Sequence, residues 1–409
     1  MNLHENLKKY AHLILKVGLN AQAGDNILLH VDEHGLPLAR ELARQAYAMG
    51  VDMIHPVFAD DEMTLARFLE ARDEAFETLP SFFIDFNEAA YKGNFHQVRL
   101  SAPNPELLKA VDPKRISRWQ MVSAKASERL MPYVMENKVK WTIAAIPSPA
   151  WAKSVFPDFP EEDAIKSLWE KIFQATRVDQ DDPIAAWGAH AEALRRHSEL
   201  LNQYNFEKLL YEGPGTSLEV YLPEGHQWLG GASEHKSGAS FMPNIPTEEV
   251  FTMPHAGKVN GTLRATMPLS TRGRLIEGMR FVFKDGEVVE FDATQGREIL
   301  QDMLDTDAGA RRLGEVALVG HDSPISQTGL LFKNTLFDEN ASCHFALGRA
   351  YSENHLRGTE MNAQEKKKAG MNESLIHVDF MVGGPELNIT GVQHDGTQVK
   401  ILKSGNWVI

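Results

Sequence analysis

In the run Ile376-His377-Val378-Asp379-Phe380 an imidazole and a carboxylate stand two residues apart between apolar neighbours. On a strand such residues project to the same face, so this run aims two metal-binding groups at one cavity. Alone the spacing is ordinary, because a buried His and Asp that satisfy each other read the same way. Four further segments of the same half change the balance: Thr247-Glu248-Glu249-Val250-Phe251, Leu313-Gly314-Glu315-Val316-Ala317-Leu318, Asp338-Glu339-Asn340 and Ala341-Ser342-Cys343-His344-Phe345. Glu315 is the most telling, since it stands at the mouth of a buried strand and a buried carboxylate is costly unless paired or metal-bound. Singly, Glu249 reads as a surface turn residue, Glu339 as a cap or loop partner and Glu315 as an exposed strand start.

Together Glu249, Glu315, Glu339, His344, His377 and Asp379 make four carboxylates and two imidazoles, an oxygen-rich set suited to a pair of zinc, cobalt or manganese ions. One ion does not need so many. Two ions about 3.5–4 Å apart acidify a shared water and polarise a scissile carbonyl, which is hydrolytic chemistry at neutral pH. Cys343 reads as a packed apolar residue rather than a nucleophile. His226 and His255 fall in turn-rich segments with no partner at ligand spacing.

The elements that must hold these groups differ between the two halves. In the first, Leu7, Ile14 and Leu15 have helical spacing up to Gly18, and residues 26–31 read as a buried strand. A helix over 37–49 follows, then strands over 52–57, 98–102 and 140–146 with helical stretches between. This alternation implies a parallel sheet covered by helices. An amphipathic helix from Ile184 to Tyr204 closes the half, so the boundary is expected near Asn205, giving an N-terminal α/β domain over 1–205 and a C-terminal metal-binding domain over 206–409. The second half has short β-like runs broken by Gly, Asn and Asp. Residues 281–289 form a hairpin candidate around Asp285-Gly286, and Asp395-Gly396 repeats the signal. Helices are expected over 298–304 and 308–313, making this half α+β. Lys366, Lys367 and Lys368 read as a solvated loop or helix face.

Composition narrows the function. The chain of 409 residues is long enough for two cores, and its 43% apolar and 24% charged content supports them. A net charge of -14 argues against nucleic acid or an anionic membrane as partner. The polar stretch 1–10 lacks a secretion-type apolar core, no window spans a bilayer, and one cysteine excludes an internal disulfide; the expectation is a cytoplasmic protein.

At this point the chain resembles, over essentially its whole length, the metal-dependent aminopeptidases typified by aminopeptidases T, S and PepS. The likeness is carried by residues 222–228 (Leu-Pro-Glu-Gly-His-Gln-Trp), 244–252 (Asn-Ile-Pro-Thr-Glu-Glu-Val-Phe-Thr), 313–317, 340–348 and 377–383. The resemblance implies a homodimer of α/β and metal-binding domains that takes peptides with a free N-terminus and removes N-terminal residues with broad preference. It implies Glu249, Glu315, Glu339, His344, His377 and Asp379 as ligands of two divalent ions, Glu315 as their bridge and Tyr351 as a catalytic residue. The expected reaction is peptide hydrolysis by a water activated between the ions, with Tyr351 supporting the oxyanion and Glu249 counted among the catalytic carboxylates. Two rivals stay open on the residues alone: another dinuclear hydrolase acting on non-peptide amides or phosphoesters, and a two-domain solute-binding protein without chemistry.

Overall fold

A computed structural model describes residues 2–271 and 274–409. The chain forms two compact units: one runs to Ala189 and takes in Ala232–Pro246, the other comprises His190–Gly231 and Thr247–Ile409. The helix Pro183–Tyr204 ends where the sequence places the boundary, and the units divide near its start.

The first unit is built on a five-stranded sheet ordered Asn244–Ile245, Trp141–Ala145, Phe95–Ser101, Asn26–Val31, Met53–Phe58, with every pairing parallel. Helices connect the strands, as parallel pairing requires. The strand expected at 98–102 begins earlier, at Phe95, because His96 and Gln97 pair with Ile27 and Leu28 in spite of their polarity.

The second unit is mainly antiparallel. An eight-stranded sheet includes the expected hairpin, Arg280–Lys284 with Glu287–Asp292, where Asp285 and Gly286 both take positive φ, 50° and 80°. A Cβ at Gly286 would lie 1.9 Å from the Ala256 carbonyl oxygen, so no other residue fits that turn. The helix Arg297–Leu304 forms as expected, but 308–313 does not. The Asp307 carboxylate accepts from the amides of Gly309, Ala310 and Leu375, which fixes a turn, and Leu313 starts a strand instead. The three lysines close the short helix Ala363–Lys368, which buries no side chain.

A five-stranded sheet carries the ligand candidates, in the order His377–Met381, His344–Gly348, Leu313–Leu318, Val250–Thr252, Leu229–Gly230. Its two faces follow from alternation. Val316, Leu318, Phe345, Leu347 and Phe380 join one apolar core with Trp228 and Phe281. Rings of Tyr211 and Phe281 lie 5.0 and 5.1 Å from those of Phe345 and Phe380. The intervening residues Glu315, Ala317, His344, Ala346, His377 and Asp379 must then share the opposite face.

Candidate metal centre

The register makes that face concrete. Asp379 pairs with Ala346 and Ala346 with Glu315, so both carboxylates stand in one row on either side of a methyl group. His377 is two residues from Asp379 on its strand, and His344 two from Ala346. Glu249 precedes Val250, which pairs with Leu318, so it reaches the same face from the neighbouring strand.

The side chains converge in two groups, Glu249 with Glu315 and His344, and Glu315 with His377 and Asp379, each with its ligand atoms within 4.8 Å of one another. Glu315 belongs to both. His344 Nε2 lies 3.1 Å from Glu249 Oε2 and 3.5 Å from Glu315 Oε1. His377 Nε2 lies 3.6 Å from Glu315 Oε2 and 3.4 Å from Asp379 Oδ1. The cluster is deeply set, with Glu315 only 5% and His344 1% exposed.

This arrangement fits divalent cations. His344 Nδ1 is 3.0 Å from the Ser342 carbonyl oxygen and His377 Nδ1 2.7 Å from that of Arg349. Donation there places the Nδ1 protons on the backbone and turns both Nε2 lone pairs to the cluster, as metal-ligating histidines are held. Neutral imidazoles so held would set lone pairs against carboxylates, and Glu249 Oε2 and Asp379 Oδ1 are buried without a well-formed hydrogen bond. Positive charge is required between them. Burial alone would depress the imidazoles, yet the Glu249 and Glu315 carboxylates hold His344 well above its usual range, and Asp379 lifts His377 to about 9. Burial and the neighbouring carboxylates raise Glu315; Asp379 is drawn below its usual range by His377 despite burial. A cation would supply the charge those protons supply.

Glu339 is not in either group, although burial and the charges of Asp379, Glu249 and Glu315 raise it well above the usual carboxylate range. Its neighbour Asp338 is otherwise engaged, accepting from the amides of Phe332 and Asn334 at 2.7 and 3.0 Å. The Tyr351 ring lies 4.5 Å from that of His377, and burial with the four surrounding carboxylates keeps its phenol protonated, a neutral donor. Cys343 points away, its Sγ 3.2 Å from the Val319 carbonyl oxygen, and burial pushes the thiol up to about 11.

Several supporting residues escape a search for charges and histidines. Asn340, fully buried, accepts from the Glu248 amide at 2.7 Å and donates to Leu336 O and, at 3.4 Å, Glu339 Oε1, tying two candidate ligand segments together. Buried Glu248 lies 3.6 Å from His190 Nε2. Asn354 donates to the carbonyls of Gln227 and Phe251 and so anchors the turn after Tyr351. Their signal in the sequence is only adjacency to Glu249, Glu339 and Tyr351.

The description "Thermophilic metalloprotease (M29)" fits residues 3–407. Aminopeptidase 2 of Geobacillus stearothermophilus is 47% identical over 98% of this chain and 97% of its own length. Aminopeptidase T of Thermus thermophilus is 43% identical over 99% and 98%, and aminopeptidase AmpS of Bacillus subtilis 41% over 98% of each. The solved structure of wild-type AmpT from Thermus thermophilus superposes with a TM-score of 0.94 at 41% identity, covering 99% of both chains. These relatives lend no support to the solute-binding or non-peptide readings. The sequence motifs, the paired antiparallel and parallel sheets and the cluster around Glu315 agree with this likeness, and the chain belongs to the thermophilic metalloprotease (M29) family of metal-dependent aminopeptidases.

Proposed function

We propose that this aminopeptidase holds two divalent ions, zinc, cobalt or manganese, at the Glu315 cluster and releases N-terminal residues from peptides by hydrolysis at that site. The observation that carries the reading is the double membership of Glu315, whose two oxygens face His344 and His377 separately. Glu249 and His344 would complete one ion's ligands and His377 and Asp379 the other's, with Glu339 closing the set. When bound, such ions acidify a water and polarise the scissile carbonyl.

The chain's own groups do the rest. The tyrosine hydroxyl of Tyr351, kept protonated, donates to the oxygen on which negative charge develops. A carboxylate of the cluster, Glu249 among the candidates, takes the proton of the attacking water and passes it to the departing amine nitrogen as the C–N bond breaks. A free α-amine offers hydrogen-bond donors to the carboxylates of the site, which an acetylated nitrogen largely loses. The reading includes a homodimer, as the family resemblance implies, and a cytoplasmic setting; among the described residues no helix is long and apolar enough to cross a membrane.

The test compares aminoacyl amides with their N-acetylated counterparts, with and without chelator. Cleavage confined to free amines and abolished by chelation is expected; equal cleavage of acetylated substrates would sink the exopeptidase reading.

A further inference from the structure

The ligand-bearing face also carries apolar side chains that the hydrolytic machinery does not use. Phe251 pairs with Ala317, Ala317 with His344, and His344 with Met381. Directly opposed residues of antiparallel strands project to one face, so these four form a row beside that of Glu315, Ala346 and Asp379. Phe251 is two residues beyond Glu249, which puts both on the same side of their strand. It is half-buried, whereas Val250 and Thr252 on either side of it are fully buried. Its ring meets that of Tyr351 edge-on, centroids 6.5 Å apart at 76°, and Tyr351 in turn lies against His377. Between Phe251 and His344 the row holds only the small, buried side chain of Ala317, so no bulky group separates Phe251 from a ligand candidate.

We propose that Phe251 and Tyr351 form the apolar wall that receives the side chain of the substrate's first residue, so that large apolar N-terminal residues are preferred over small or acidic ones. The proposal rests on the aminopeptidase reading above. With the first carbonyl carbon at the Glu315 cluster, the side chain leaves from the adjacent Cα, a reach that the neighbouring row can meet. Aromatic edges offer area and dispersion to leucine, methionine or phenylalanine, little to alanine. An acidic first residue would lose the hydration of its carboxylate against the aromatic edges.

The experiment measures kcat/KM for leucyl, phenylalanyl, alanyl and glutamyl p-nitroanilides with the metal-loaded protein, for the wild type, Phe251→Ala and Phe251→Trp, alongside metal content and melting temperature. Phe251→Ala should lower the leucyl-to-alanyl ratio by about tenfold or more, in line with the selectivity a few methylenes confer in an apolar pocket. Phe251→Trp, which crowds the wall, should lower the phenylalanyl-to-alanyl ratio, and it serves if the smaller variant folds poorly. Ratios unchanged in both variants, a uniform loss across all substrates, or a wild type indifferent to the first residue would overturn the proposal. N-acetyl-leucyl p-nitroanilide distinguishes the two claims: its cleavage at the rate of the free substrate breaks the aminopeptidase reading, while the ratios still report on the wall.

Discussion

Glu315 and Asp379 face each other across Ala346 in a single row of the sheet. With strands about 4.8 Å apart, the row spans about 10 Å of floor with one methyl group at its centre. His377 Nε2 lies over that gap, 3.6 and 3.4 Å from the two carboxylates. Ala346→Val should fill it. Overpacking costs about 1–3 kcal/mol of stability, and the displaced carboxylates should lower bound metal and kcat together. Normal metal content and rate in that variant would mean that the gap is not where ions sit.

Glu315→Gln keeps the shape of the side chain but removes the charge that both imidazoles face. Both ions should bind more weakly, and activity should fall with occupancy. If metal analysis and turnover were close to wild type, the bridging role would pass to another carboxylate, Asp379 first.

Chelation tests the stoichiometry. Six candidate ligands exceed what a single tetrahedral ion takes, so elemental analysis of active protein should give two ions per chain. Removing them leaves crowded carboxylates, and because ions bind the folded state, the melting temperature should drop and recover on readdition. One ion per chain at full activity would leave Glu339 or Glu249 a structural role.

How much of this was legible before the structure depends on the range of the forces involved. Period-two alternation is local, so His377 and Asp379, and Glu315 between Gly314 and Val316, already declare a shared polar face with an apolar one behind it. The parallel sheet of the first unit shows in alternating strand and helix runs. The short strand Asn244–Ile245, which joins that sheet from a segment about a hundred residues beyond Trp141–Ala145, does not, since two residues carry no period. The helix expected at 308–313 fails because one side chain, Asp307, captures three amides, a choice propensity does not weigh. In Asp338-Glu339 the pattern cannot say which carboxylate belongs with the cluster; the amides of Phe332 and Asn334 engage Asp338, while the charges of Asp379, Glu249 and Glu315 act on Glu339. His190 and Glu248 meet through folding across 58 residues of sequence, beyond any motif.

A charged network in the first unit gives an acid-dependent prediction. Asp25 Oδ2 lies 2.6 Å from Lys140 Nζ and accepts from the Gln22 amide at 2.9 Å; its other oxygen lies 3.4 Å from His96 Nε2. Burial alone would raise the Asp25 carboxyl, but its bonds to His96, Lys140 and Gln22 outweigh that and hold it below the usual range. A carboxyl depressed in the folded state contributes stability that is complete above its unfolded value, about 4, and is lost as pH falls toward the folded one. Asp25→Ala leaves the buried Lys140 ammonium with only the Asn20 carbonyl, a loss of about 3–5 kcal/mol by analogy with broken buried pairs. Denaturant unfolding at pH 7 and at pH 3 should show a large gap between variant and wild type at the first and a smaller one at the second. Equal midpoints at pH 7 would show the network to be dispensable.

Tyr351 separates catalysis from packing most cleanly. Its ring is held from three sides: against His377 at 4.5 Å, edge-on to Phe251, and by the turn that Asn354 anchors to the Gln227 and Phe251 carbonyls. Because that packing belongs to the ring, Tyr351→Phe should leave it, the metal content and the melting temperature intact. If the hydroxyl stabilises the developing oxyanion, kcat should fall by about 10²–10³, the usual cost of one such donor. Asn354→Ala keeps the hydroxyl but frees its turn, so it should lower kcat by misplacing the same group. Combined with Tyr351→Phe it should then add little, since residues acting through one interaction are not additive. Measuring kcat, metal content and thermal stability on the two single variants and the double variant decides among the roles. Rate loss confined to kcat and shared between the two supports the donor. A drop in melting temperature for Tyr351→Phe without a change in rate would make the hydroxyl structural. Losses that multiply would detach Asn354 from Tyr351.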